Sequence, residues 1–158
     1  MSSYITGLLK KIVSTDETPK RLALSFTIGT FLSFSPPLGI HTILGLSIAY
    51  LFHLNRTAMV VGVYLNNPWT IVPYYAFATW VGIKITGMPE GVQMPHVGLR
   101  EIMTRAFWMQ IMAEWRILIP AVVGSLVLAL LIALVTYPIM LHLIGRYQKQ
   151  RRLRAQVE

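Results

Sequence analysis

The residues best suited to do chemistry are polar groups set inside uncharged, apolar sequence. They are Ser35, Pro36, Gly39, His41 and Thr42 in SFSPPLGIHT, and Asn66, Asn67, Pro68 and Thr70 in NNPWT. Proline removes a backbone donor and disfavours helix in the residue before it. Each cluster is therefore expected to end one helix and open another, with Ser35 and Asn67 as caps. If both new helices start at depth in a membrane, two positive helix ends with free amide donors face one place, which suits an anion. Asn55 and Arg56 lie between the clusters. A guanidinium beside such helix ends matches the oxygens of a phosphate, whereas the plainer alternative has Arg56 snorkelling at a lipid surface. His41 is the candidate proton carrier, set against a histidine that merely bonds a neighbouring carbonyl.

Other chemistries fit less well. The acidic residues Asp16, Glu17, Glu90, Glu101, Glu114 and Glu158 all fall outside the long uncharged stretches. No GxSxG turn, phosphate-binding Gly-Lys loop or HExxH helix is present. No enzyme is expected; the remaining enzymatic alternative acts on lipid head groups through Glu114 and His96. His41, His53, His96 and His142 lack metal-ligand spacing, so neither a metal nor a cofactor is expected. Cysteine is absent, which removes thiolate chemistry and disulfides.

The elements that must position these residues follow from hydropathy. Of 158 residues, 54% are hydrophobic, and the mean hydropathy is +0.57. That exceeds the usage of an ordinary soluble domain, although a soluble helical core is the alternative. Residues 22–55, 57–83 and 117–145 carry no Asp, Glu, Lys or Arg. Each exceeds the roughly 20 residues needed to cross a bilayer. The N-terminal sequence lacks the uninterrupted apolar core of a signal peptide and is expected to be retained. The net charge of +8 gathers near the ends, in Lys10, Lys11, Lys20 and Arg21 and then Arg146, Lys149, Arg151, Arg152 and Arg154. Basic flanks of apolar segments mark the cytoplasmic side, so both termini are placed there and no nucleic-acid partner is expected.

The expected organisation is an amphipathic surface helix over 1–17, a membrane domain over 18–145 and a basic cytoplasmic tail over 146–158. Thr18-Pro19 should start a helix that stops near Phe34; a second should run to about His53, and a third, from near Thr57, should be cut after about two and a half turns. Residues 84–116 read as an external loop and an interfacial helix in which Glu101 and Arg105 pair. Residues 117–145 are the uninterrupted span. With both ends inside, the crossings are even in number. Either 22–54 is a re-entrant hairpin that leaves Arg56 cytoplasmic, or the second stretch is re-entrant. GTFLSFSPPLGI (29–40) aligns with GVYLNNPWTI (62–71) as a weak internal repeat, the alternative being two unrelated kinks. Gly29 with Ser33, and Gly45 with Ala49, are small pairs that let helices approach closely.

TPKRLALSFTIGTFLSFSPPLGIHT, LFHLNR and NNPWTIVPYY resemble the bacterial membrane family known as domain of unknown function 2062, over about residues 18–137. The likeness is sharpest at Pro36, Gly39 and Thr42, at Asn55, and at Asn67-Pro68 with Thr70. It implies an integral protein of the bacterial inner membrane without an assigned reaction. It also implies a link to glycosyltransferases that use lipid-linked sugars.

Together these readings give an all-α, multi-pass integral membrane protein with two proline-broken helical elements, an interfacial helix and one long transmembrane helix. Its expected function is transport or flipping of an anionic lipid, such as a polyprenyl-phosphate, or of a small anion. The alternative is a non-catalytic scaffold that recruits a cell-envelope enzyme. Expected partners are membrane lipids with anionic head groups and further copies of the chain.

Overall fold

A computed structural model describes residues 17–36, 40–66, 68–87, 104–105, 109, 116 and 118–155. Among these the secondary structure is helical throughout: α1 Pro19–Phe34, α2 His41–Leu51, α3 Arg56–Val63, α4 Pro68–Thr86 and α5 Leu118–Ala155. The expected surface helix (1–16 of it) and nearly all of 87–117, including Glu101, lie outside the described residues. Chain contacts divide the protein into two units, residues 1–67 with 129–158, and residues 68–128.

In the first unit, α1 starts as its sequence demands. Thr18 Oγ1 accepts the Arg21 N–H at 3.4 Å, and Pro19 occupies the first turn. It ends at Phe34, because Ser35 is extended, the conformation a following proline favours. Ser35 does not cap the second helix as expected. It closes the first: its N–H and its Oγ both donate back to the Leu32 carbonyl, at 3.3 and 3.0 Å. The second helix begins only at His41.

That second helix stops at Leu51 rather than His53, and the reason is local. His53 takes a positive φ of 51°, and its N–H donates to the Tyr50 carbonyl while the Leu54 N–H donates to Ala49. This is a Schellman closure with histidine where glycine is usual. Leu54 then packs beside Ala49, Met59 and Val63, and Asn55 opens α3, its Oδ1 accepting the Ala58 N–H at 2.7 Å. The LFHLNR sequence is thus one compact helix-to-helix turn.

Helices α1 and α3 run parallel and very close. The Asn55 N–H meets Ser25, Gly29 faces Met59 and Gly62, and the Asn66 N–H meets Ser33, in ascending order on both helices. A Cβ on Gly29 would run into the Met59 carbonyl oxygen, and one on Gly62 into that of Phe26. The backbones touch because neither residue has a side chain. Gly45 of α2 adds a looser contact, 3.0 Å from Val63 to an added Cβ. The small pairs do serve close packing: Ala49 is also buried. Leu22, Ala23, Phe26 and Ala58 bury against Met140 and Ile144 from the later part of α5.

The second unit pairs α4 with residues 118–128, antiparallel. Tyr74 Oη donates to the Ser125 carbonyl at 3.1 Å. Added Cβ atoms on Gly82 and Gly124 would meet the carbonyl oxygens of Pro120 and Ala78. Among the described residues one helix is long and apolar enough to cross a membrane, spanning Leu118–Leu153.

Candidate functional site

The expected site residues described in the first unit separate into two clusters at opposite ends of the α1/α3 pair. At the starting end, Asn55 is buried and fully engaged. Its N–H donates to Ser25 Oγ at 2.9 Å, its Oδ1 caps α3, and its Nδ2 donates to Glu17 Oε1 at 3.1 Å. Ser25 Oγ in turn donates to the Arg21 carbonyl at 2.7 Å. These bonds give Asn55 a capping and bracing role. Arg56 beside it is exposed, its guanidinium 5.6 Å from the Tyr50 ring centroid.

The far end holds the ends of α1, at Phe34, and of α3, at Val63. The Asn66 N–H donates to Ser33 Oγ at 2.9 Å, and its Nδ2 donates to the Ser33 carbonyl at 3.3 Å. The end of α3 is thereby fastened to the end of α1. Buried Ser35 and half-buried Pro36 follow on one strand of chain. His41 and Thr42, both half-buried, open α2 beyond it, where the preceding Ile40 supplies no side-chain cap. Gly39 and Asn67 lie outside the described residues. Pro68 begins α4, and Thr70 is exposed on it, in the other unit.

Arg56 is therefore not a partner of the break. Eight residues of α1 separate Ser25, beside Asn55, from Ser33, beside Asn66, and eight residues of helix rise about 12 Å. The expected anion site made of helix ends plus Arg56 resolves into two places, with Ser33 and Asn66 at one end of α1 and Asn55 with Arg56 at the other.

The weak internal repeat has a physical counterpart. Gly29 matches Gly62, Phe26 matches Met59 and Ser33 matches Asn66, each pair 33 positions apart in the chain. Those pairs make the reciprocal contacts: each glycine sits on the carbonyl of the other repeat's Phe26 or Met59.

Sequence reasoning missed Glu17, Ser25 and Ser33 as bonding partners. The signal was available for the serines, since a hydroxyl inside a long apolar run needs a hydrogen-bond partner. For Glu17 none was, because its partners Asn55 and Gln148 are far along the chain.

Residues 3–153 match the family described as "Uncharacterized protein conserved in bacteria (DUF2062)". The chain belongs to that family. No curated protein and no solved structure matches it.

Proposed function

We propose that this DUF2062 protein is a multi-pass protein of the bacterial inner membrane that binds and moves the head group of an anionic amphiphile. The site is the break end of the first unit, formed by Ser35, Pro36, His41, Thr42 and Asn66. Membrane residence is supported by apolar side chains left largely exposed. Ile43, Tyr50 and Leu51 on α2, and Leu130, Leu134 and Val135 on α5, are all more than half exposed. The most apolar window of α5 is only 28% buried, too little for the core helix of a soluble protein. In hydrocarbon the same faces are at rest, and helices associate through small residues and hydrogen bonds, as at Gly29, Gly62, Ser33 and Asn66.

The observation that carries the site is the Asn66–Ser33 fastening, which brings two interruptions, each bordered by proline, to one locus. Interrupted helices in corresponding positions of two repeats point to a transporter's binding site, and non-helical backbone at depth must be buried or line a wet cavity. In this reading His41 carries the coupled proton, and Arg56 acts at the cytoplasmic entrance. The movement breaks no covalent bond. The exposed apolar faces are further covered by other copies of the chain.

The chain has no cysteine, so one introduced by Thr42→Cys reports on the locus directly. It should react with a membrane-impermeant maleimide in proteoliposomes and be protected by a short-chain polyprenyl phosphate. His41→Ala should slow flipping of a fluorescent analogue. If Thr42→Cys stays unreactive in inserted protein and His41→Ala flips normally, transport is ruled out.

A second reading, a scaffold that recruits a cell-envelope enzyme, is favoured by one observation. The polar groups at the break largely satisfy one another, Asn66 with Ser33 and Ser35 with Leu32. A scaffold that docks through its tail loses its partner when residues 151–158 are deleted, whereas transport survives that deletion.

A further inference from the structure

At the end of the first unit where α1 and α3 begin, segments distant in sequence meet at Glu17, and basic residues stand close by in each of them. Glu17 is the only acidic residue among those described. Its Oε1 accepts from Asn55, its backbone carbonyl accepts from Gln148 Nε2 at 3.0 Å, and its Oε2 lies 3.8 Å from Arg21 Nε. Glu17 thus ties the starts of α1 and α3 to the later part of α5. Lys20 and Arg21, then Arg56, then Lys149 and Arg152 within about one turn of Gln148, consequently share one pole.

Two helix N-termini add partial positive charge at the same place. Among the described residues one carboxylate, that of Glu17, stands against that excess. Next to Arg56 the end of α2 presents Tyr50, Leu51 and Phe52, each about two-thirds exposed or more. A basic pole bordered by exposed aromatic and aliphatic groups fits a molecule that is anionic at one end and apolar at the other. A free anion or a nucleic acid would leave the apolar border unused.

We propose that this pole recognises the phosphate-bearing head groups of anionic lipids in the leaflet it faces, as a site separate from the break end. It rests on the membrane reading and not on transport. Three chain segments contribute, so the site exists only in the folded protein.

The test extracts the full chain in mild detergent from liposomes of equal parts phosphatidylglycerol and phosphatidylcholine and measures the retained lipids by mass spectrometry. Phosphatidylglycerol should be enriched. Lys20→Gln, Arg56→Gln and Arg152→Gln should each lower that enrichment roughly fivefold, and ionic strength near 1 M should remove it. Lys20→Arg and Arg56→Lys should preserve it, which separates charge recognition from misfolding. Equal retention of the two lipids would overturn the proposal. So would loss confined to Arg152→Gln, which would mark a solvated tail instead of a composed pole. Displacement of the lipid by inorganic phosphate, but not by chloride at the same ionic strength, would reassign the pole to free anions, and displacement by a DNA oligonucleotide would reassign it to nucleic acid. Failure of the chain to enter liposomes at all overturns the membrane reading, whereas an unreactive Thr42→Cys in inserted protein bears on transport alone.

Discussion

Gly29→Ala should be among the most damaging single-methyl changes in this chain. The added Cβ would overlap the Met59 carbonyl oxygen and lie 3.0 Å from the Val63 nitrogen and 3.1 Å from Gly62 Cα, all backbone atoms that no rotamer change can move aside. Relief requires α1 and α3 to separate by roughly 1 Å, and overpacking of this kind costs about 1–3 kcal/mol. The separation also strains the two hydrogen bonds that bracket the contact, Asn55 to Ser25 and Asn66 to Ser33, both 2.9 Å. Each is worth about 1 kcal/mol net. The sum is about 3–5 kcal/mol, an apparent melting temperature lower by roughly 10 °C for a chain of this size. The assay is thermal unfolding of detergent-solubilised protein followed by size-exclusion chromatography. Gly145→Ala is the internal control: nothing lies within 4 Å of its added Cβ, and alanine is the better helix former, so it should be neutral or stabilising by up to about 1 kcal/mol. If Gly29→Ala melts with Gly145→Ala, the parallel α1/α3 contact is wrong.

Three further outcomes follow from the same geometry. Asn55→Ala removes the α3 cap and the Glu17 contact together and should cost about 1–3 kcal/mol in thermal unfolding, well above Thr18→Ala, whose capping bond is exposed and long at 3.4 Å. His53→Gly relaxes the positive φ and should stabilise the protein by up to about 1 kcal/mol, seen as a raised melting temperature; a lowered one would mean that the imidazole makes a bond. Gly124→Ala should open the α4 pair at its Ala78 contact and loosen the Tyr74–Ser125 bond, which Tyr74→Phe alone weakens by only about 1 kcal/mol; protease sensitivity between residues 87 and 117 would separate the two variants.

Much of the fold was legible because local rules decided it. Thr18-Pro19 had to open a helix, Ser35-Pro36 had to end one, and the charge-free run after residue 117 had to form a long apolar helix; all three stand in the structure. Gly29, read with Ser33 as a small pair, pointed to a close helix contact, and it makes one with Gly62. The turn at His53 was not legible, because histidine is a poor choice for positive φ and only the hydrogen bonds around it hold it there.

By itself, then, the sequence determined the helical class, where α1 begins and ends, where α4 begins and the abundance of apolar surface, because these depend on backbone donors and side-chain transfer energies within a few residues. Tertiary structure decided which polar groups meet. It fastened Asn66 to Ser33, moved Asn55 and Arg56 to the opposite end, and tied Glu17 to the distant Asn55 and Gln148. Those outcomes hinge on which helices lie parallel and how closely, and that is set by contacts between residues about thirty or more positions apart, which no local pattern encodes.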